Sequence, residues 1–342
     1  MPHPEEPQHA ATPRRFAWRR LLQYRLRTLL ILTTIIAVWL GWWSHSARRQ
    51  REAVAALTKT RERIFYDFED ATARRQRPPR WPAWLVDLLG VDYFASVKGI
   101  DLDATQVNDT VFERVKDLAN LQFVSLEDTQ ITDAGLKHLQ VLKVLQNVKL
   151  RRTNITDAGV EHLSRMTTLQ HLDLCDTRIT DAGLSHLRGL TALQWLELRN
   201  TQVTDAGLRH IQGLLSLQLL ILDKAKVTDA GLEHIKDLGA LESLFLSNTQ
   251  ITDAGLIRLQ RLTSLRVLGL EATQVTDDGL KSLRAFKQLA ALHLSLTRVS
   301  DVGLRHLQGL TELKQLSLYG TDVTNAGLSR FRQSLPNCQI LR

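Results

Sequence analysis

Two columns of residues in this chain have side chains that could do chemistry. Histidines stand at 138, 162, 186, 210, 234 and 306, and aspartates at 133, 157, 181, 205, 229, 253, 277 and 301. Imidazoles invite a metal or a pH-sensing role, and carboxylates invite calcium. A metal site, however, needs three or four ligands converging on one point, whereas residues spaced by a fixed 24 positions fall on a line. Arg258, Ser282 and Arg330 also interrupt the histidine column. The expectation is therefore a repeated helix-surface position for the histidines. For the aspartates it is helix capping, with Thr or Asp as the cap of each helix. The chain carries no Gly-rich phosphate loop, no paired catalytic carboxylates and no Ser/His/Asp constellation. The reading is non-enzymatic, with no cofactor and no metal.

The elements that position these columns come from one repeated unit. In the copy from Leu169 to Leu190, Leu172 and Leu174 alternate with His171, Asp173 and Cys175, the period of a strand with one buried face. Thr180 and Asp181 precede an apolar run, and Leu184, Leu187 and Leu190 follow at helical spacing. Each unit reads as strand, turn, short helix and return. One unit cannot cover its own apolar face, but a stack of about ten can.

Leu169, Leu172, Leu174 and Thr177 fit the spacing of the leucine-rich repeat core, and Ile179 to Leu184 resembles the cysteine-containing subclass known from F-box-associated repeats. The usual Cys or Asn column is Thr here, at 129, 153, 177, 201, 249, 273, 297 and 321, with Ala225 the exception. The resemblance implies an α/β leucine-rich repeat solenoid over residues 97–342: a curved parallel sheet on the concave face and short helices on the convex face. Fold is what it specifies; function it leaves open.

Charge is uneven. Residues 1–80 hold sixteen Lys and Arg against seven Asp and Glu, and the remainder holds 28 against 29. The repeats are electrically balanced, so no nucleic-acid partner is expected. Cys175 and Cys338 lie six to seven repeats apart, too far for a disulfide.

The first 96 residues divide into a basic tail (1–20), an apolar helix (21–43), a charged helical stretch (44–76) read first as a stalk, with a dimerising or a docking helix as alternatives, and a Pro-rich linker with the N-terminal cap of the solenoid (77–96). Thr28 to Trp43 is uncharged and ends in Trp39, Trp42 and Trp43, the composition of a span with an interfacial belt. An uncleaved signal anchor is expected, ahead of a cleaved signal peptide (Ser44 and Ser46 are small) and of a buried soluble helix. Arg19-Arg20 fits a twin-arginine signal poorly. Six Lys and Arg precede the run and six follow it in residues 44–63, so the charge rule ties. The layout resembles the membrane-anchored leucine-rich repeat proteins of planctomycete-type bacteria, through Leu26 to Leu30 at the entry and Ala47 to Val54 after it. That resemblance implies a single-pass protein with an outward, extracytoplasmic repeat domain. Trp84, Leu85, Leu88 and Leu89 are expected to cap the first repeat, and residues 335–340 the last.

The outward strand positions carry the functional expectation. Large apolar side chains on a solvent-facing strand surface mark contact sites. Trp195, Leu219, Ile221, Phe245 and Val267 are expected to form one patch, with Glu197, Arg199, Asp223 and Glu271 as polar rim and Phe123 further along the same face. The expected partner is a protein or peptide ligand of unknown identity; oligomeric state is not specified. The alternatives are a structural spacer of the cell envelope and an adaptor of the F-box-associated type, although no F-box-like segment precedes the repeats.

Overall fold

The structure is a computed structural model that describes residues 15–57, 63–67 and 81–342. A 43-residue helix, α1 (Arg15–Leu57), comes first. Strand β1 (Arg63–Tyr66) and helix α2 (Ala83–Leu89) follow. Then come β2 (Val97–Asp101), β3 (Phe123–Ser125), β4 (Asn147–Lys149), β5 (His171–Asp173), β6 (Trp195–Glu197) and β7 (Leu219–Ile221). Strands β8 (Ser243–Phe245), β9 (Val267–Gly269), β10 (Ala291–His293), β11 (Gln315–Ser317) and β12 (Gln339–Leu341) complete one twelve-stranded sheet in sequence order. From β2 onward every pair is parallel and in register at the 24-residue spacing, and β1 adds antiparallel to β2.

The central residue of each strand points away from the exposed face into the core. Val124, Val148, Leu172, Leu196, Leu220, Leu244, Leu268, Leu292 and Leu316 are all buried, and the second leucine column from Leu126 to Leu318 joins them. Burying a leucine contributes about 1.5–3 kcal/mol each, so the ladder holds the stack together. After each strand the chain turns through one left-handed residue. The series runs from Ala104 to Leu296 with φ of 52–60°, and ends at Gly320 with φ 68°. The Thr column closes this turn: Thr177 Oγ1 donates to the Leu174 carbonyl at 2.6 Å, and Thr201 to Leu198 at 2.8 Å.

The Thr-Asp step divides its labour more sharply than expected. Thr is the helix cap, as where Thr180 accepts from the Ala182 N–H at 3.2 Å. Asp does not cap its own helix; it reaches the next repeat. Asp157 Oδ1 accepts from the Thr180 N–H at 2.8 Å and its Oδ2 from the Thr180 hydroxyl at 2.6 Å, and the same pair of bonds recurs from Asp109 to Asp301. The Gly two residues after each Asp is the space this needs. A Cβ on Gly183 would collide with the Asp157 carboxylate and one on Gly207 with that of Asp181. The helices are single turns of four to seven residues, extended in places by 3-10 turns, and the last is a ten-residue helix, Asn325–Ser334.

Two expectations for the leader are corrected. The charged stretch is a docking helix where a simple stalk was the first expectation: α1 docks its C-terminal end on the solenoid, burying Ala47, Ala53 and Leu57. Gln50 Nε2 donates to the Ala95 carbonyl at 2.8 Å and to Asp92 at 2.9 Å, and Gln50 Oε1 accepts from the Val97 N–H. Residues 63–66, expected as helix, form β1, because Ile64, Phe65 and Tyr66 suit an edge strand and β2 offers an open edge. The N-terminal cap is therefore the end of α1 plus β1. Helix α2 is not the cap; Trp84 and Leu88 are 64% and 71% exposed. The expected tail and linker fall largely outside the described residues. At the other end Leu335 and Cys338 are buried under the last repeat, and both cysteines are free thiols.

Candidate functional site: the exposed sheet face

Each strand sets two side chains on the open face. The leading row runs Phe123, Asn147, His171, Trp195, Leu219, Ser243, Val267, and the trailing row Ser125, Lys149, Asp173, Glu197, Ile221, Phe245, Gly269, His293. A third position beyond each strand carries Glu127, Arg151, Cys175, Arg199, Asp223, Ser247 and Glu271.

This geometry divides the expected patch. Trp195, 42% exposed, neighbours Leu219 and stacks on His171, the ring centroids 4.3 Å apart and the planes 13° from parallel. Ile221 and Phe245 are neighbours in the trailing row. Val267 is separated from Leu219 by Ser243, and Phe123 sits three strands from Trp195 against Phe65 of β1. The two pairs meet diagonally across β7 and β8. Val267 lies beside them, and Phe123 belongs to the capped end.

Phe245 does not stand upright. Gly269 leaves the next trailing position empty, and a Cβ there would overlap the Phe245 ring, which leans toward His293 with centroids 6.5 Å apart. The resulting cavity of about 420 Å³ is lined by Ile221, Phe245 and Gly269 on the apolar side and by Arg151, Glu197, Arg199, Asp223, Glu271 and His293 on the polar side. Sequence reasoning missed His293, and it placed Gly269 on the outward face without giving it a role. The available signal was a glycine breaking a column of large side chains, the mark of a close approach within a strand.

The polar rim is unevenly exposed. Glu271 is half-buried, but Asp223 is buried: it accepts the Ser247 N–H at 2.7 Å and pairs with Arg199 at 3.3 Å. Asp223 thus holds Arg199 in place. Burial pushes the Glu197 carboxyl above its ordinary range, and the neighbouring Asp173 charge adds to this. Asp173, Cys175 and Glu197 bring three donor atoms within 4.8 Å. Burial and Asp173 drive the Cys175 thiol well upward, so it stays protonated, and Asp173 Oδ1 already accepts the Cys175 N–H at 2.8 Å.

The histidine column lies on the helix side. His162, His210 and His306 meet Gln140, Arg188 and Arg284 of the preceding repeat. Burial, then the facing arginine, lowers His210 and His306 below the usual imidazole range. These contacts lie along the stack and do not converge.

Residues 143–203 match the leucine rich repeat family. No curated protein matches the chain. Among solved structures it is similar to a leucine-rich repeat protein of Leptospira interrogans, 18% identical, with 72% of this chain and 73% of that chain covered and a TM-score of 0.52. It is also similar to two internalins of Listeria monocytogenes. One is 22% identical over 71% of this chain and 86% of its own, with a TM-score of 0.44. The other, internalin C2, is 24% identical over 69% and 83%, with a TM-score of 0.47. The matched segment, the Leptospira likeness and the 24-residue register together identify the fold as a leucine-rich repeat solenoid.

Proposed function

We propose that this chain is a membrane-anchored, non-enzymatic binding protein that holds a protein or peptide ligand on the sheet face between β5 and β10. One observation carries the reading. Trp195 and Leu219 stand on the open face directly beside a cavity walled by Ile221 and Phe245 and rimmed by Glu197, Arg199 and Glu271. An aromatic anchor next to a pocket, with polar groups around it, is the anatomy of a protein interface. Asp223 acts from beneath, through Arg199. Val267 extends the apolar side, and Phe123 contributes through the β1 edge if a ligand is long enough to reach it.

The anchor is α1. Its span Arg27–Leu57 contains a window of mean hydropathy 1.4 with no residue buried, and Leu29 to Trp42 present their side chains outward. A signal sequence has the same features, and the resemblance to anchored planctomycete-type proteins favours retention, with the repeats outside the cytoplasm. Full-length protein is expected to sediment with membranes and resist carbonate washing. A soluble mature form beginning near Ala47 would replace the anchor with a cleaved signal.

The binding reading is tested with the full chain as bait, comparing wild type, Trp195→Ala and, as a control on the helix side, His186→Ala. Ligand captured at defined stoichiometry by wild type and His186→Ala, and lost about tenfold or more in affinity by Trp195→Ala, is the expected result. Equal binding by both folded variants sinks the sheet-face site. No stoichiometric ligand under any condition leaves the rigid spacer as the better description.

A further inference from the structure

The end of α1 that leaves the apolar run is not alone. Trp81, Trp84 and Leu88 are 51%, 64% and 71% exposed, and Leu89 is exposed beside them. Trp84 and Leu88 are one helical turn apart and share a face of α2. We propose that α2 and Trp81 lie in the headgroup layer of the bilayer that α1 enters, so that the solenoid is held at a fixed attitude to the membrane. This rests on the anchor reading above.

Three observations favour a lipid surface as the occupant of this face. The first is continuity. Trp39 stacks on Trp43 at 5.7 Å, Trp43 meets Phe94 edge-on at 6.1 Å, and Phe94 meets Trp81 at 5.3 Å. One chain of rings thus leads from the last apolar turn of α1 to the start of α2, at the depth where tryptophan concentrates in membranes. The second is level. Arg51 bonds the Leu89 carbonyl, lies 5.6 Å over the Tyr93 ring and pairs with Asp92 at 3.8 Å. The far end of α2 is therefore tied to α1 only eight residues past Trp43, about 12 Å along the axis, so α2 lies alongside the exit of α1 from the apolar run. The third is charge. Arg48 is exposed on α1 between these two ties, placed to meet lipid phosphates, whereas Arg49 beside it pairs with Asp117 of the solenoid at 4.0 Å. Leu85 and Val86 turn toward the protein, half-buried, so α2 is bound on one side and open on the other.

The test places nitroxide labels on the full-length protein in vesicles of phosphatidylcholine with phosphatidylglycerol. Leu88→Cys is compared with Ile35→Cys, inside the apolar run, and with Leu215→Cys, exposed on the solenoid. Accessibility to oxygen and to a water-soluble nickel chelate is measured at each site. The expected result is an Ile35 label in the hydrocarbon, a Leu215 label in water, and a Leu88 label with chelate accessibility several-fold below that of Leu215. If Ile35 is in the bilayer while Leu88 behaves like Leu215, α2 does not touch lipid and the anchor stands. If Ile35 is open to the chelate, the anchor falls and the proposal with it. Spin broadening at Leu88 that disappears on dilution with unlabelled protein means a second copy covers α2, which also overturns the proposal. A Trp81→Ser/Trp84→Ser variant checks the same point without a label: it is expected to remain membrane-bound while its repeat domain takes a broader range of orientations.

Discussion

Asp205 of one repeat clamps Thr228 of the next, taking the backbone N–H on Oδ1 at 2.8 Å and the hydroxyl on Oδ2 at 2.6 Å. The same Thr228 hydroxyl caps its own helix at the Ala230 N–H. One Thr thus joins helix initiation to repeat stacking, and Gly231 leaves the room the carboxylate needs. Asp205→Ala is expected to cost about 2 kcal/mol, since it strands a donor pair within the stack. Gly231→Ala is expected to cost about 1–3 kcal/mol by overpacking against the carboxylate. Because both act on one contact, the double variant should lose less than the sum. Additive losses in denaturant unfolding would show that the two residues do not share the contact.

Glu197 and Asp301 should respond to pH with opposite signs. Burial raises the Glu197 carboxyl above 4.5. The folded state therefore holds that proton more tightly, and the contribution is present below 4.5 and lost as pH rises through the folded value. Glu197→Gln should raise the Tm at pH 7 by about 1–3 °C and leave it unchanged below pH 4. The hydroxyl and N–H of Thr324 hold Asp301 below 3.8. Its contribution is present above 3.8 and lost as pH falls through the folded value. Asp301→Asn should loosen the last repeat at pH 7 and have no effect in strong acid, as read by amide exchange in residues 325–334.

Leu296 occupies a left-handed turn position with φ 59° and is 57% exposed. Asn fills the equivalent position at 200 and 248. A branched aliphatic residue there costs about 1–2 kcal/mol that Asn largely avoids. Leu296→Asn should raise the Tm by about 2–4 °C. A lower Tm would mean that the contact of Leu296 with the Gly320 turn outweighs the backbone strain.

Ala225 is the one member of its column without a hydroxyl, although its N–H still reaches the Leu222 carbonyl at 3.0 Å. Elsewhere a Thr hydroxyl adds a second bond to that carbonyl, as Thr249 does to Leu246 at 2.5 Å. Ala225→Thr is expected to add about 1 kcal/mol. An unchanged midpoint would make the column decorative.

The docked end of α1 makes any cut between α1 and the repeats a costly one. Leu57 is 1% exposed, and Leu57→Ala should cost about 2–5 kcal/mol at the N-terminal end of the stack. A fragment of residues 81–342 should unfold at lower denaturant than one of 44–342, and its first repeats should exchange amide protons faster. Identical midpoints would show that α1 rests on the solenoid without stabilising it.

Much of this protein was legible in the 24-residue period, because a repeat whose apolar columns keep register leaves one way to stack. The buried leucines, the turn after each strand, the Thr cap and the line of histidines all follow from spacing within one unit. What spacing cannot carry is any contact whose partner lies outside the unit. The Asp carboxylates belong to the next repeat, 23 residues on, and read alone they looked like caps. Residues 44–76 had the charge of a stalk, yet Ala53 and Leu57 find the open end of the core and Ile64 to Tyr66 an unpaired edge. The sheet face was readable as a row of outward residues but not as a site. Trp195 and Phe245 fall in different rows, and Phe245 leans into the space left by the missing side chain of Gly269 in the following strand. Local propensity and period are properties of the chain. A neighbour across the stack, a close approach and a shared cavity exist only once the strands are brought within about 4.8 Å of one another.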